Sequence, residues 1–236
     1  GNSSTTNTAF PQVVDPILTD SDTVVFGDMV GTFQIAAGGN FSMALKNSNK
    51  VYTWGSNVRG QLGRATATQP EEITPKVVIG DYSYIGAGGE TAYAANTNSP
   101  SEFVAWGSNL CGTYGNGTTG GSGVPLTMSG IQYTINISAG PDFLLIAKDN
   151  NDGNKIYAWG CNQDGELGVG LVGDRYIPLE ISGHTNPKSI SAGYDFSCVI
   201  TGGDDRIYCS GYYPHAYLGA NSVNFRDLPT LVTHSF

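Results

Sequence analysis

Charge is scarce in this chain: only 13% of its residues are Asp, Glu, Lys or Arg, against about a quarter in an ordinary globular protein. What charge exists is acidic, with 11 basic residues against 20 acidic ones and a net charge of −9. A polyanion is repelled by such a surface and neither end carries a basic tail, so no nucleic-acid partner is expected. No run of 18 apolar residues occurs, so no membrane-spanning helix is expected. The chain opens Gly1-Asn2-Ser3-Ser4 without an apolar segment. No signal peptide is therefore expected within these residues, and a processed terminus and an arbitrary boundary fit that start equally.

The groups that carry chemistry are equally thin. The three histidines, His184, His215 and His234, are scattered, with no His-x-x-x-His pair, and no Cys-x-x-Cys occurs. Neither a Gly-x-Ser-x-Gly elbow nor a phosphate-binding Gly-x-x-x-x-Gly-Lys loop is present. Asp149-Asn150-Asn151-Asp152-Gly153 has the look of a calcium loop, but its spacing fails and no bidentate Glu follows. A hairpin turn explains it, and Asp204-Asp205 reads the same way. No catalytic residue, metal ligand or cofactor is expected, and the chain reads as non-enzymatic.

What the chain does have is glycine (33 residues), tyrosine (13) and a repeat. Ala-Gly falls at 37, 87, 139 and 192. Trp-Gly falls at 54, 106 and 159, with Ser210-Gly211 in the fourth place. Leu-Gly falls at 62, 167 and 218, with Tyr114-Gly115 in the second place, and prolines follow at 75, 125, 178 and 229. Four landmarks in one order with one period of about 50 residues mark a repeat of supersecondary units. Ile35 to Leu45 and Val51 to Trp54 flank the polar turn 46–50. Phe143–Ala147 with Ile156–Trp159, and Phe196–Ile200 with Ile207–Cys209, repeat that hairpin around Asp-Gly and Gly-Gly turns. About four short strands per unit is the content of a propeller blade. The expected fold is all-β, with units near 33–80, 81–130, 131–182 and 183–236 behind a polar arm at 1–10.

The motif Val51-Tyr52-Thr53-Trp54-Gly55-Ser56-Asn57-x-x-Gly60-Gln61-Leu62-Gly63, and its copy Ile156 to Gly168, resembles the repeat of the regulator of chromosome condensation family. The resemblance covers roughly residues 33–232. It implies a β-propeller that binds protein partners through its loop faces. Two departures stand out. That family usually closes seven blades, and four units are visible here; the fourth has also lost its Trp. The repeat position of Trp54, Trp106 and Trp159 marks them as blade-packing residues rather than a sugar-stacking platform. The loops 64–74, 116–124, 169–177 and 220–228 vary between units, so they are the expected binding surface.

Pro11-Gln12-Val13-Val14 resembles Pro75-Lys76-Val77-Val78 and reads as a surplus outer strand, an assembly strand available for exchange. A closed four-bladed ring, part of a larger ring, and an open arc covered by neighbouring copies all accommodate it. Cys198 and Cys209 lie on the two strands of one hairpin, and Cys111 and Cys161 in the post-Trp loops of consecutive units. Both pairs are disulfide candidates, with four free buried thiols as the alternative. Sequons at Asn2, Asn40, Asn116 and Asn136 are N-glycosylation candidates. Together these features place the chain outside the cell or on its surface. The expected role is a structural or interaction module of a filament or coat, its partners being proteins, copies of itself and attached glycans. The alternatives are a cytoplasmic or nuclear propeller, such as a nucleotide-exchange factor, and a secreted enzyme-inhibitor propeller.

Overall fold

The computed structural model describes residues 29–65, 70–96, 101–149, 151, 153–212 and 225–232. They form four four-stranded antiparallel meanders. The first blade is β1 (Thr32–Ala37), β2 (Phe41–Lys46), β3 (Val51–Ser56) and β4 (Glu71–Val78). The second is β5 (Tyr84–Gly88), β6 (Thr91–Asn96), β7 (Glu102–Gly107) and β8 (Ser122–Thr127). The third is β9 (Thr134–Ala139), β10 (Phe143–Lys148), β11 (Lys155–Gly160) and β12 (Arg175–Thr185). The fourth is β13 (Pro187–Ala192), β14 (Phe196–Thr201), β15 (Ile207–Tyr212) and β16 (Phe225–Leu231).

The stretch Ile35 to Leu45, read above as one half of a hairpin, is two strands. Gly38, Gly39 and Asn40 turn the chain between β1 and β2, so the Ala-Gly landmark marks the end of each innermost strand. The proline landmark marks each outermost one: Pro75, Pro125, Pro178 and Pro229 lie in β4, β8, β12 and β16. An outermost strand is paired on one side only, so it tolerates the missing N–H.

Each third strand also has a built-in irregularity. The register against the outer strand shifts between Thr53 and Gly55, Ala105 and Gly107, Ala158 and Gly160, and Cys209 and Gly211. The shift falls each time at the Trp position, or at Ser210. The glycine that follows has φ of +106, +96, +113 and +108° in the four blades. A Cβ there would lie 2.6, 2.3, 2.5 and 2.3 Å from a carbonyl oxygen of Asn40, Glu90, Asp142 and Asp195 respectively. Only glycine satisfies both conditions, and this is the physical origin of the Trp-Gly landmark.

The innermost strands meet in sequence, β1 with β5, β5 with β9 and β9 with β13. Apolar side chains fill each junction between blades. Met43, Leu45, Val51 and Leu62 meet Ala92, Val104 and Trp106 at the first. Tyr93, Phe103 and Tyr114 meet Leu144, Ile146 and Trp159 at the second. Phe143, Leu145, Ile156 and Leu167 meet Ile190 and Val199 at the third. Each blade therefore has an outgoing face, which takes its successor, and an incoming face, which takes its predecessor. Among the described residues no helix is long and apolar enough to cross a membrane.

Candidate interaction surface

The loop after each Trp-Gly is held by the same device. Asn57 Oδ1 accepts from the Leu62 N–H at 3.1 Å, Asn109 Oδ1 from Tyr114 at 2.8 Å and Asn162 Oδ1 from Leu167 at 3.0 Å. The amide nitrogen of Asn109 also donates to the Thr118 and Gly120 carbonyls, and that of Asn162 to the carbonyls of Leu171 and Gly173. One side chain thus fixes both the loop and the segment beyond it. The sequence shows these asparagines recurring two residues beyond the glycine of each Trp-Gly pair, but not which N–H groups they hold.

The loop so held presents one carbonyl to the next blade. The indole N–H of Trp106 donates to Gln61 O at 2.9 Å, and that of Trp159 to Thr113 O at 2.8 Å. Both indoles are fully buried. At the third junction the equivalent acceptor is Glu166 O, and the hydroxyl of Ser197 donates to it at 2.6 Å, with Ser210 Oγ 3.1 Å away. Trp54 occupies the same position in the first blade but is only half-buried.

The four cysteines form two disulfides. Cys198 pairs with Cys209, its register partner across β14 and β15. Cys111 pairs with Cys161, stitching the post-Trp loops of the second and third blades. Asp174 lies beside that second pair. The bonded sulfurs offer no thiolate to a cation, and Asp174 Oδ1 accepts from Gln163 Nε2 at 2.8 Å, so it braces the loop.

Around this stitch the post-Trp loop of the second blade exposes Leu110, and the variable loops expose Val124, Leu171, Val172, Tyr176 and Ile177, all between 43% and 57% exposed. Tyr176 packs where a side chain on Gly112 would stand, and its carbonyl accepts from the Gly117 N–H at 2.8 Å. The 169–177 loop of one blade thereby lies on the 112–117 loop of its neighbour. In the 64–74 loop, by contrast, Arg64 turns inward to Thr53 Oγ1 and Lys76 O and braces its own blade. Residues 220–224 of the last variable loop lie outside the described residues.

Beyond the stitch the surface turns acidic. Asp142, Asp164, Glu166 and Asp195 line a hollow between the third and fourth blades, next to the exposed Tyr194. Burial pushes Asp142, Glu166 and Asp195 above the usual carboxylate range. Glu90 adds to the effect at Asp142, Asp164 and Asp195 at Glu166, and Asp164 at Asp195. His184 is pushed below the usual imidazole value by burial.

The sequons fall in three settings. Asn40 is exposed in the β1–β2 turn. Asn116 is exposed, its Oδ1 accepting from both the N–H and the hydroxyl of Thr118. Asn136 is half-buried in the innermost strand β9. Asn2 and the strand Pro11, Gln12, Val13, Val14 lie outside the described residues, as do His215 and His234.

Comparison with known proteins agrees with this geometry. The profile of the Regulator of chromosome condensation (RCC1) repeat matches residues 34–61, 48–90 and 153–200. The chain is 27% identical over 208 residues to the Ultraviolet-B receptor UVR8 of Arabidopsis thaliana, covering 84% of this chain and 46% of that protein. It is 31% identical over 214 residues to the probable E3 ubiquitin-protein ligase HERC3 of Homo sapiens, covering 83% and 19%. The chain thus spans less than half the length of these relatives. Among solved structures it superposes on yeast RCC1 (Prp20), determined bound to Kap60, with a TM-score of 0.71 and 21% identity, covering 87% of this chain and 50% of that one. Human WBSCR16 superposes with a TM-score of 0.69 and 18% identity, covering 85% and 51%. With its Trp-Gly bulges, its pinned loops and its fanned meanders, the chain belongs to the family of RCC1-like repeat propellers.

Proposed function

We propose that the chain is a non-catalytic protein-interaction module that works outside the cell, and that its loop face between the second and third blades is its recognition surface. One observation carries this reading. The Cys111–Cys161 disulfide ties the post-Trp loops of two blades together, and those loops and the 169–177 loop held against them expose Leu110, Leu171, Val172, Tyr176 and Ile177. Exposed apolar side chains on rigid loops are the usual anchors of a protein interface. Disulfides persist in oxidising compartments and are rare in the cytosol. The acidic hollow beside these loops favours a partner with basic residues at its rim. The exposed sequon at Asn116 stands on the same face and provides an attachment point for a glycan.

Two measurements test this. Thiol titration of the denatured, unreduced protein from its native source should find no free cysteine; four free thiols would remove the extracellular part of the reading. A photo-crosslinking residue in place of Ile177 should capture a protein, while one in place of the exposed Gly203 on the fourth blade should not. Equal labelling from both positions would remove the loop face. An intracellular propeller that docks a regulator is the second reading. It is favoured by the likeness to Prp20, determined in complex with Kap60, and the thiol titration separates the two.

A further inference from the structure

Two positions of each post-Trp loop recur in register. Ser56, Ser108 and Cys161 directly follow the glycine of Trp-Gly, and Arg59, Cys111 and Asp164 come four residues after it. At the first junction Arg59 and Ser108 line one hollow between the blades, with no covalent link. At the second junction the same two places carry Cys111 and Cys161, which are bonded. The repeat therefore opposes these positions whatever residues fill them. The second junction is also held by the Trp159 indole on Thr113 O, by the Gly117 N–H on Tyr176 O, and by buried Phe103 and Leu144. Cleaving the bond therefore leaves the two cysteines facing each other.

A third group stands beside them. A carboxylate oxygen of Asp174 lies within 4.8 Å of both sulfurs, and all three residues are half-buried. Among the described residues no other three His, Cys, Asp or Glu side chains converge in this way. Asp174 Oδ1 is pinned by Gln163 Nε2 at 2.8 Å and by the Asn162 N–H at 3.3 Å. Oδ2 accepts no hydrogen bond among the described residues. The adjacent Arg175 turns its guanidinium to the carbonyls of Val172 and Asp174, not to the carboxylate. One oxygen held by donors while the other stays free is how a ligating carboxylate is oriented.

We propose that, when the Cys111–Cys161 bond is reduced, the two thiolates and the Asp174 carboxylate hold a zinc ion between the second and third blades. A dithiol reductant supplies two electrons and two protons, the S–S bond opens to two thiols, and the dithiol closes to its own disulfide. Zinc then displaces one proton from each thiol. Side-chain rotation parts the freed sulfurs to about 3.8 Å, the edge of a tetrahedron with Zn–S near ~2.3 Å, and the carboxylate takes a third corner. Water takes the fourth. Two thiolates select zinc over calcium and magnesium, which take oxygen ligands. The metal and the disulfide tie the same two loops, one under reducing and the other under oxidising conditions. The inference does not depend on the loop face being a recognition surface.

The test uses the full chain, reduced with a phosphine, which is oxidised to its oxide and competes little for metal. Cobalt(II) is the probe, because zinc is spectroscopically silent. The reduced chain should bind one cobalt, with a thiolate-to-metal charge-transfer band and the strong visible absorption of a tetrahedral ion, and zinc should displace it. The oxidised chain should show neither band. Cys111→Ser, which keeps Cys198 and Cys209, should abolish both. Asp174→Asn, which keeps an acceptor for Gln163 and removes the charge, should weaken zinc binding by roughly 10–100-fold. Circular dichroism on each sample reports whether the sheets persist. A reduced chain that keeps its sheet signal and shows no charge-transfer band overturns the proposal. So does a band that survives Cys111→Ser or is unchanged by Asp174→Asn. A reduced chain that loses its sheet signal overturns the claim that the fold, rather than the bond, sets the ligands. Photo-crosslinking from Ile177 in the oxidised chain reads the loop face separately, so either reading can fail without the other.

Discussion

At the junction of the second and third blades, Trp159 is buried and its indole reaches Thr113 O. At the junction of the third and fourth, Ser210 stands in the Trp place, and the hydroxyl of Ser197, its register partner on β14, reaches Glu166 O instead. The acceptor and its loop are kept while the donor changes residue, strand and size. The repeat therefore preserves a hydrogen bond from each blade to its predecessor's loop rather than a residue. The apolar part of the bargain is not kept. A buried Trp removes roughly 150–250 Å² from water, on the order of 4–6 kcal/mol at ~25 cal/mol/Å², and a serine pair replaces none of it. The fourth blade is the one carrying a cross-strand disulfide. Closing its 11-residue separation restricts the unfolded chain by about 3 kcal/mol on the chain-entropy model.

The sharpest way to break this comparison is to truncate the indoles. Trp159→Ala should cost about 3–5 kcal/mol, since it leaves a large cavity between two blades and an unpaired Thr113 carbonyl. Trp54→Ala in the monomer should cost about 1 kcal/mol or less, because its face is already open to solvent. Urea unfolding followed by circular dichroism measures both. Equal losses would mean that the first blade already has a neighbour on its incoming face.

Next in size is the disulfide of the fourth blade. Cys198→Ala with Cys209→Ala should lower stability by about 3 kcal/mol. Hydrogen exchange should rise first in β14 and β15, while the amides of the first and second blades stay protected, because solenoid-like repeats communicate mainly through nearest neighbours. Uniform loss of protection across all four blades would show a single cooperative unit. It would also remove the idea that the bond substitutes locally for a missing Trp.

The sequence displayed the parts of this arrangement whose cause is backbone geometry. Trp-Gly is legible because any side chain at Gly55, Gly107, Gly160 or Gly211 would meet a carbonyl within 2.6 Å, so the landmark persists even where the Trp does not. The prolines are legible because only an edge strand tolerates them. Roles that depend on a neighbour are not legible. Asn57, Asn109 and Asn162 look like ordinary loop polarity until the N–H groups they hold are seen. Ser210 reads as a lost Trp, because nothing in Phe196-Ser197-Cys198 announces that Ser197 has taken over the donor's task. Trp54 is indistinguishable from Trp106 in sequence; its difference lies entirely in what stands on the other side.

The smallest expected effect sharpens the comparison at the loop itself. Glu166 and Gln61 are equivalent residues, and each side chain accepts from the backbone N–H two residues before it: Gln61 Oε1 from Arg59 at 2.8 Å, Glu166 Oε2 from Asp164 at 2.9 Å. The glutamine does this without a charge. Burial, then the like charges of Asp164 and Asp195, raise the Glu166 carboxyl above its ordinary 4.5. The native state therefore holds this proton more tightly than the unfolded chain does. Ionisation costs stability as pH rises through the raised value, and the cost is absent below the unfolded one. Glu166→Gln keeps the hydrogen bond and removes the charge. It should stabilise the protein at pH 7 by about 0.5–1 kcal/mol, with the advantage fading to nothing below about pH 4. Melting temperatures of the two proteins across that range measure it. A variant less stable at pH 7 would show that the carboxylate is favourably paired, most simply with a cationic group of a partner or of a second copy.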